Sequence, residues 1–317
     1  MMFMRFVRNL KTLLKEDIGI AGGKGASLGE MKHFRVLVPD GYLILSAAYN
    51  KFIKDNELDI EIDAALDEIN YQEMQTIENA SEKIKVLILT SEIPEAIEKE
   101  IIGNFDKLKV KRVAIRSSAT LEDSVGASWA GQLDSYINTT KKDLIKNIKR
   151  CWASLFSPRA IFYKFRKNLN GQEISMAVVM QKMINSEVSG IAFSVDPITQ
   201  DRNQIIIEAG FGLGEAIVSG KITPDAYFIK KQPLYIMNKN ISEQKKALVY
   251  IKNKNKLVKI KNGNDQKLQD RGILKLAKVI IKIEAHFGFP CDIEWTMEKG
   301  KLYVTQSRFI TTLIDER

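Results

Sequence analysis

The chain has 317 residues, 45% of them hydrophobic and 27% charged, with a formal net charge of +9. That length buries a full core with room for two lobes, and the balance is ordinary for a soluble globular protein. No apolar run approaches the roughly 18 residues of a membrane helix. Met1 to Leu14 lacks a signal-peptide core, and Cys151 and Cys291 form no C-x-x-C pair, so a cytoplasmic protein without disulfide framework or structural zinc is expected.

In chain order, Gly22-Gly23 breaks the chain, and Gly25 to His33 carries a helical pattern with Leu28 and Met31 three apart. Tyr42 to Leu45 reads as a short strand after Pro39, and Ser46 as the N-cap of a helix from Ala47. Ile60 to Leu108 is helix-rich and charged, with Pro94 opening its last helix. Val113 to Ser117 is a compact strand ending near Arg116, followed by a small-residue loop, Ser118 to Gln132. Lys141 to Phe156 is an amphipathic helix, and Ser157-Pro158 starts another. From Ile174 the texture turns to strands: Ile174–Ile184, Val188–Val195, Gln204–Glu208 and Ala226–Ile229. Much of the positive excess lies between Lys230 and Lys267, which has no arginine cluster and little aromatic interleaving; nucleic acid is therefore not the expected partner. Lys246 to Ile260 reads as a hairpin around Asn253–Asn255, Gly272 to Phe287 as a final helix, and Cys291–Met297 with Leu302–Ser307 as strands about Lys299-Gly300. A helix-rich half, residues 1–170, followed by a strand-rich half, residues 171–317, predicts an α+β fold of two lobes meeting at a cleft.

Several segments could carry chemistry. Gly22-Gly23-Lys24-Gly25 enters a helix, where backbone amides, helix dipole and a mobile cation suit phosphate oxygens. It is not a Walker P-loop, and a plain turn with a surface lysine fits the same residues. Arg116 could fork two phosphate oxygens or face a structural carboxylate. In strand geometry Asp292 and Glu294 share one face while Ile293 and Trp295 take the other. With a three-residue turn, Lys299 to Lys301, Glu294 falls opposite Gln306 and Asp292 opposite Arg308. Such oxygens suit Mg²⁺, which keeps waters and shares substrate phosphates; cross-strand ion pairs on an exposed sheet face suit them as well. Gly210-Phe211-Gly212-Leu213-Gly214-Glu215 has G-x-G-x-G rather than the dinucleotide fingerprint, and a flexible loop lining a cleft is expected there.

Read together, Gly22-Gly23-Lys24-Gly25-Ala26-Ser27-Leu28-Gly29-Glu30-Met31, Val113-Ala114-Ile115-Arg116-Ser117-Ser118-Ala119-Thr120, Ala130-Gly131-Gln132, Gly212-Leu213-Gly214-Glu215-Ala216, Asp292-Ile293-Glu294-Trp295 and Gln306-Ser307-Arg308 are more specific. Over essentially the whole chain, they resemble the nucleotide-binding domain of the phosphoenolpyruvate synthase and pyruvate phosphate dikinase family, which includes the rifamycin phosphotransferases. The resemblance implies an ATP-grasp-like fold whose two lobes enclose Mg-ATP. It implies transfer to a histidine on a separate swivelling domain. It assigns Lys24, Arg116 and Arg308 to the transferring phosphates, and Glu294 and Gln306 to Mg²⁺ with Asp292 supporting the metal. Gly131 and Ser135 fall where the family's phosphate loop closes, and Gln181 and Met183 at the adenine hinge.

Departures set what else is expected. Val38-Pro39-Asp40-Gly41-Tyr42 carries Tyr for the family's Phe, and Ser46 stands in place of its Thr. Neither His33 nor His286 has the G-G-x-T-[CS]-H context of the family's phosphorylated histidine, so both are expected to be structural. The reading is therefore an ATP-dependent phosphotransferase component completed by a partner carrying the phosphohistidine and pyruvate or phosphoenolpyruvate domains. A drug or glucan phosphotransferase, or a non-catalytic nucleotide-binding relic of a split gene, are the alternatives.

Overall fold

The computed structural model describes residues 5–121, 133–169, 172, 174–310 and 313. The chain divides into two compact units, Met1–Glu30 with Asp40–Met183, and Met31–Pro39 with Ile184–Arg317. Each combines helices with antiparallel sheet, so the fold is α+β. Among the described residues no helix is long and apolar enough to cross a membrane.

The first unit is built on a five-stranded sheet of β1 (Val7–Asn9), β2 (Gly41–Ile44), β3 (Val113–Ala119), β4 (Ser135–Thr139) and β5 (Met176–Lys182), in the order β1-β2-β5-β3-β4. The central strands β3 and β5 are buried along most of their length, with one face apolar and the other carrying Arg116, Ser118 and Gln181. Val113, Ile115, Val178 and Met180 join the helical core on one side. That core is supplied by α2 (Ser46–Asp55), α3 (Leu58–Asp67), α4 (Met74–Thr90), α5 (Glu95–Lys107), α6 (Leu144–Ala153) and α7 (Pro158–Arg166). In α6, Leu144, Ile148, Cys151 and Trp152 recur at helical spacing and are fully buried. Trp152 packs on Phe52 with ring centroids 4.9 Å apart and on Tyr49 at 6.0 Å; truncating a tryptophan so enclosed costs about 3–5 kcal/mol.

The other face of the sheet receives α1 (Ile18–His33). This helix starts well before Gly25 and is broken at Gly22, whose φ of 67° and ψ of 168° lie outside the helical region. The expected strand ending near Arg116 runs on to Ala119, which places Arg116 mid-strand. Ser46 is the first helical residue of α2; Leu45 occupies the cap and supplies no side-chain bond. The unit boundary also differs from one near residue 170. β5 bonds to β2 and β3, so sheet pairing holds the chain in the first unit through Met183.

The second unit carries a six-stranded sheet in the order β13-β12-β6-β7-β8-β9. Its strands are β6 (Val188–Phe193), β7 (Gln204–Phe211), β8 (Asp225–Lys230), β9 (Tyr235–Asn240), β12 (Cys291–Glu298) and β13 (Lys301–Phe309). The short helix α8 (Glu215–Val218) follows β7, and β10 (Lys246–Ile251) with β11 (Lys254–Lys259) forms a separate hairpin. Lys252 and Asn253, at φ 50° and 60°, make its two-residue turn. In α9 (Asp270–Phe287), Ile273, Leu276, Ala277, Ile280 and Ile283 form the buried stripe, and Gly288 at φ 77° caps the helix. The glycine segment expected to be a flexible loop is partly tied down. Gly210 and Phe211 belong to β7, Gly212 bridges Leu248, and the Ser189 hydroxyl donates to the Gly212 carbonyl at 2.6 Å.

Candidate functional site

In the first unit the candidate residues gather on the α1 face of the sheet. Arg116 lies opposite Ser135 on β4 and Val179 on β5, while Gln181 lies opposite Ala114 and Gly41. Strand alternation therefore puts Arg116, Ser118 and Gln181 on one face, with Gln181 diagonal to Arg116. Ser118 fixes α1 against this face: its hydroxyl donates to the Ala21 carbonyl at 2.8 Å and accepts from the Gly25 N–H at 3.0 Å. Those bonds span the break at Gly22, which lies so close to the Ser118 carbonyl that no side chain fits. A methyl on Gly25 would come within 2.8 Å of Leu43. Close approach thus sets the restart of α1, where half-buried Lys24 sits. Ser135 is exposed, and Gln181 is 2% exposed, its amide nitrogen without a hydrogen-bond partner among the described residues. An unsatisfied buried amide is costly and is a fit point for a hydrogen-bonding ligand edge. Met183 follows β5, its N–H reaching the Arg112 carbonyl. Gly131 lies outside the described residues.

In the second unit, β12 and β13 pair Glu294 with Gln306 and Asp292 with Arg308, as expected. The reason differs. The turn has two residues, Lys299 and Gly300 at φ 49° and 71°, with Glu298 opposite Lys301. A bulge then inserts Thr305, so that Trp295 faces Val304 but Glu294 faces Gln306. Ile293 and Trp295 are buried on the opposite face.

Arg308 donates through Nε and Nη2 to the same Asp292 oxygen, at 2.8 and 2.6 Å. Burial pushes the Asp292 carboxyl up, Arg308 opposes that, and Glu294 adds to it. Glu208 on β7 is also held above the ordinary carboxylate range, first by burial and then by the charge of Asp292. Glu208 is the acid that sequence reasoning missed; its signal was a lone carboxylate closing the apolar run Ile205-Ile206-Ile207. Ser118 was also missed as the α1 anchor, since a serine in a small-residue stretch carries no pattern.

Among the described residues no group of three or more His, Cys, Asp or Glu side chains is arranged to hold a metal. Glu294 and Gln306 supply two adjacent hard oxygens, the partial donor set that Mg²⁺ completes with water and phosphate. His33 is exposed, and His286 stacks on Phe34 with centroids 3.9 Å apart, a structural contact.

The model of the pyruvate phosphate dikinase AMP/ATP-binding domain matches residues 18–317. The chain belongs to this family. A protein of Methanocaldococcus jannaschii named "Probable phosphoenolpyruvate synthase" is 40% identical over 98% of this chain and 27% of its own length. A protein of that same name from Archaeoglobus fulgidus is 41% identical over 96% of this chain and 41% of its own. The "Rifampicin phosphotransferase" of Bacillus subtilis is 38% identical over 97% of this chain and 36% of its own. The chain thus spans well under half the length of these relatives. The α1 face in the first unit and the β12–β13 hairpin in the second are each a candidate site.

Proposed function

We propose that the chain binds Mg-ATP and that a histidine on a separate domain or chain attacks its β-phosphorus, displacing AMP, with water then taking the γ-phosphate as inorganic phosphate so that the β-phosphoryl group stays on histidine, as in phosphoenolpyruvate synthesis from pyruvate. The observation that carries this reading is the row Gln306–Glu294 beside Asp292–Arg308: oxygen donors and a held guanidinium within one hairpin. Phosphoryl transfer needs little covalent work from the protein; positioning and charge neutralisation do most of it. Mg²⁺, when bound, supplies charge neutralisation at the phosphates, with Glu294 and Gln306 as its protein ligands. Lys24 and Arg116 hold phosphate oxygens, Ser135 and Gly131 close on them, and Gln181 and Met183 present polar groups to the base. Asp292 serves by aiming Arg308, because its oxygen is committed to both guanidinium donors. Cytoplasm fits this chemistry, since ATP is plentiful there.

The test is titration calorimetry of the chain with ATP, with and without Mg²⁺, followed by incubation with β-labelled ATP and a domain bearing the G-G-x-T-[CS]-H motif. Mg-dependent binding, label on the partner's histidine, and none on His33 or His286 are expected. Absence of binding by well-folded protein refutes the nucleotide assignment; binding without transfer refutes only the phosphohistidine step. Transfer to a small-molecule acceptor is the second reading, supported by the 38% identity to the rifampicin phosphotransferase.

A further inference from the structure

The charge of this protein is strongly partitioned. Residues 230–267 contain eleven lysines, no arginine and only two acids, Glu243 and Asp265. Their net +9 equals that of the whole chain, so the rest is balanced. Within that balanced remainder, residues 55–82 carry ten acids and no lysine or arginine. All ten acids are exposed, on α3, α4 and the residues around them.

Both strips hold repulsion that the surrounding chain relieves only in part: in the basic stretch Lys231, Lys239, Lys245 and Lys267 pair with Glu284, Asp270, Glu243 and Asp225. On the β10–β11 hairpin, Lys246 lies directly opposite Lys259, a like-charge pair that destabilises a ladder. Lys246, Lys252, Lys254, Lys256, Lys259 and Lys261 are exposed and have no ion pair among the described residues. On the acidic side, Glu57 and Glu61, Asp59 and Asp63, and Asp63 and Asp67 are each four apart, the spacing at which like charges destabilise a helix. Lys51 pairs with Asp55, Lys83 reaches Glu68, and Lys164 lies near Asp63. Glu57, Asp59, Glu61, Glu78 and Glu82 have no ion pair among the described residues. Each strip also exposes apolar groups amid its charges: Ile60 at 70% and Met74 at 54% in one, Leu257 at 46% and Ile251 at 42% in the other.

We infer that these strips are the two sides of one interaction surface and that their partner is a second copy of this chain. The lysine hairpin of one copy docks on the acidic α3–α4 strip of another. Charge complementarity selects the occupant. The six unpaired lysines named above match the five unpaired acids, and each strip relieves the other's internal repulsion. The inference is independent of the nucleotide reading, since none of these residues belongs to either candidate site.

The test, run without any ligand, is analytical ultracentrifugation of the full chain in about 20 mM and about 500 mM salt, because screening shortens the reach of exposed charges from well over 10 Å to a few. The weight-average mass should rise with protein concentration above 35.9 kDa in low salt, and stay at that value in high salt. Lys254→Glu/Lys256→Glu/Lys259→Glu and Asp59→Lys/Glu61→Lys/Asp63→Lys should each abolish association. Mixing the two variants should restore it, because each then offers what the other lacks. Unchanged circular dichroism and melting temperature serve as the folding control. A monomer in low salt at about 100 μM, or association that neither variant disturbs, overturns the proposal. Tight low-salt binding of single-stranded RNA that is lost in the hairpin variant, without self-association, also overturns it and assigns the lysines to nucleic acid.

Discussion

Replacing Arg308 by alanine probes the hairpin site without touching its register. The substitution removes the two donors that reach one Asp292 oxygen at 2.6 and 2.8 Å. It leaves Asp292, with Glu294 on the same face and Glu208 two strands away, short of that counter-charge. Removing one member of a buried pair costs about 3–5 kcal/mol. The Arg308 side chain is 31% exposed and Asp292 13%, so solvent relieves part of this, and about 2 kcal/mol at pH 7 is expected. The pH dependence has a definite sign. Asp292 and Glu208 already sit above the ordinary carboxylate range, chiefly through burial, and Arg308 is what opposes the rise at Asp292. Without Arg308 the folded-state carboxyl rises further above its unfolded value. A raised carboxyl binds its proton better in the folded state, so stability is present at low pH and is lost as pH climbs through the folded pKa. The deficit of Arg308→Ala relative to wild type should therefore shrink from pH 7 to pH 5. Urea unfolding at both pH values, with unchanged m, measures it. Arg308→Lys, unable to fork, should fall between. An equal deficit at both pH values, or one below about 0.5 kcal/mol at pH 7, would refute the electrostatic account of this pair.

Gly22→Ala should cost at least about 2 kcal/mol in urea unfolding, because φ is +67° and the Ser118 carbonyl occupies the space of a methyl; a neutral result would show that the break in α1 is not held as described. Cys151 and Cys291 are buried, and burial pushes both thiols up to about 12. A thiol reagent at pH 8 should therefore find no reactive cysteine in native protein and two after denaturation. Lys267 and Asp225 form a fully buried ion pair 2.9 Å apart, with Lys267 also donating to the Ser242 and Gly263 carbonyls. Asp225→Ala should lower stability by about 3–5 kcal/mol, read as a urea midpoint, and Lys267→Met with Asp225→Leu should recover little of the loss, because the Tyr227 hydroxyl and the Ser242 and Lys267 N–H groups also donate to Asp225.

The elements legible in the sequence were those whose periodicity survives folding. The stripe of α9 and the apolar strands after Ile174 follow from local spacing, while the hairpin expected around Asn253–Asn255 turns instead at Lys252-Asn253, with Asn255 already paired to Tyr250. What the sequence hid was non-local. β1 and β4 are short and half-exposed, and they exist because β2 and β3 offer free edges. β5 reads like the first strand of a strand-rich half, yet it completes the sheet of the first unit; nothing along the chain says with whom a strand pairs. The Ser118 contacts bridge 93 and 97 residues, and no local pattern marks a serine for that role. Glu208 escaped for the same reason, since its raised carboxyl depends on Asp292, far along the chain.

The β12–β13 hairpin shows how a correct pairing can follow from an incorrect turn. A three-residue turn and a two-residue turn with one bulge displace the strands by the same single residue, so both put Glu294 opposite Gln306. They differ in the tip. With two residues at positive φ, the turn twists with the strands, as the two-residue geometry favours, and the extra residue moves inward to Thr305. There its hydroxyl donates to the Glu294 carbonyl at 3.3 Å, beside the candidate metal ligands. A bulge next to a functional residue re-aims the side chains that follow it, here Gln306 and Arg308. Were Thr305 paired instead of bulged, every residue beyond it would slip by one, and Gln306 and Arg308 would exchange faces with Thr305 and Ser307. Deleting Thr305 removes the bulge together with its extra residue, so Trp295 still faces Val304 and Glu294 still faces Gln306, and Mg-dependent ATP binding should survive in a folded hairpin. Loss of binding by a folded deletion variant, measured by calorimetry beside a circular dichroism control, would mean that pairing alone does not aim Gln306 and Arg308 and that the bulge itself is required.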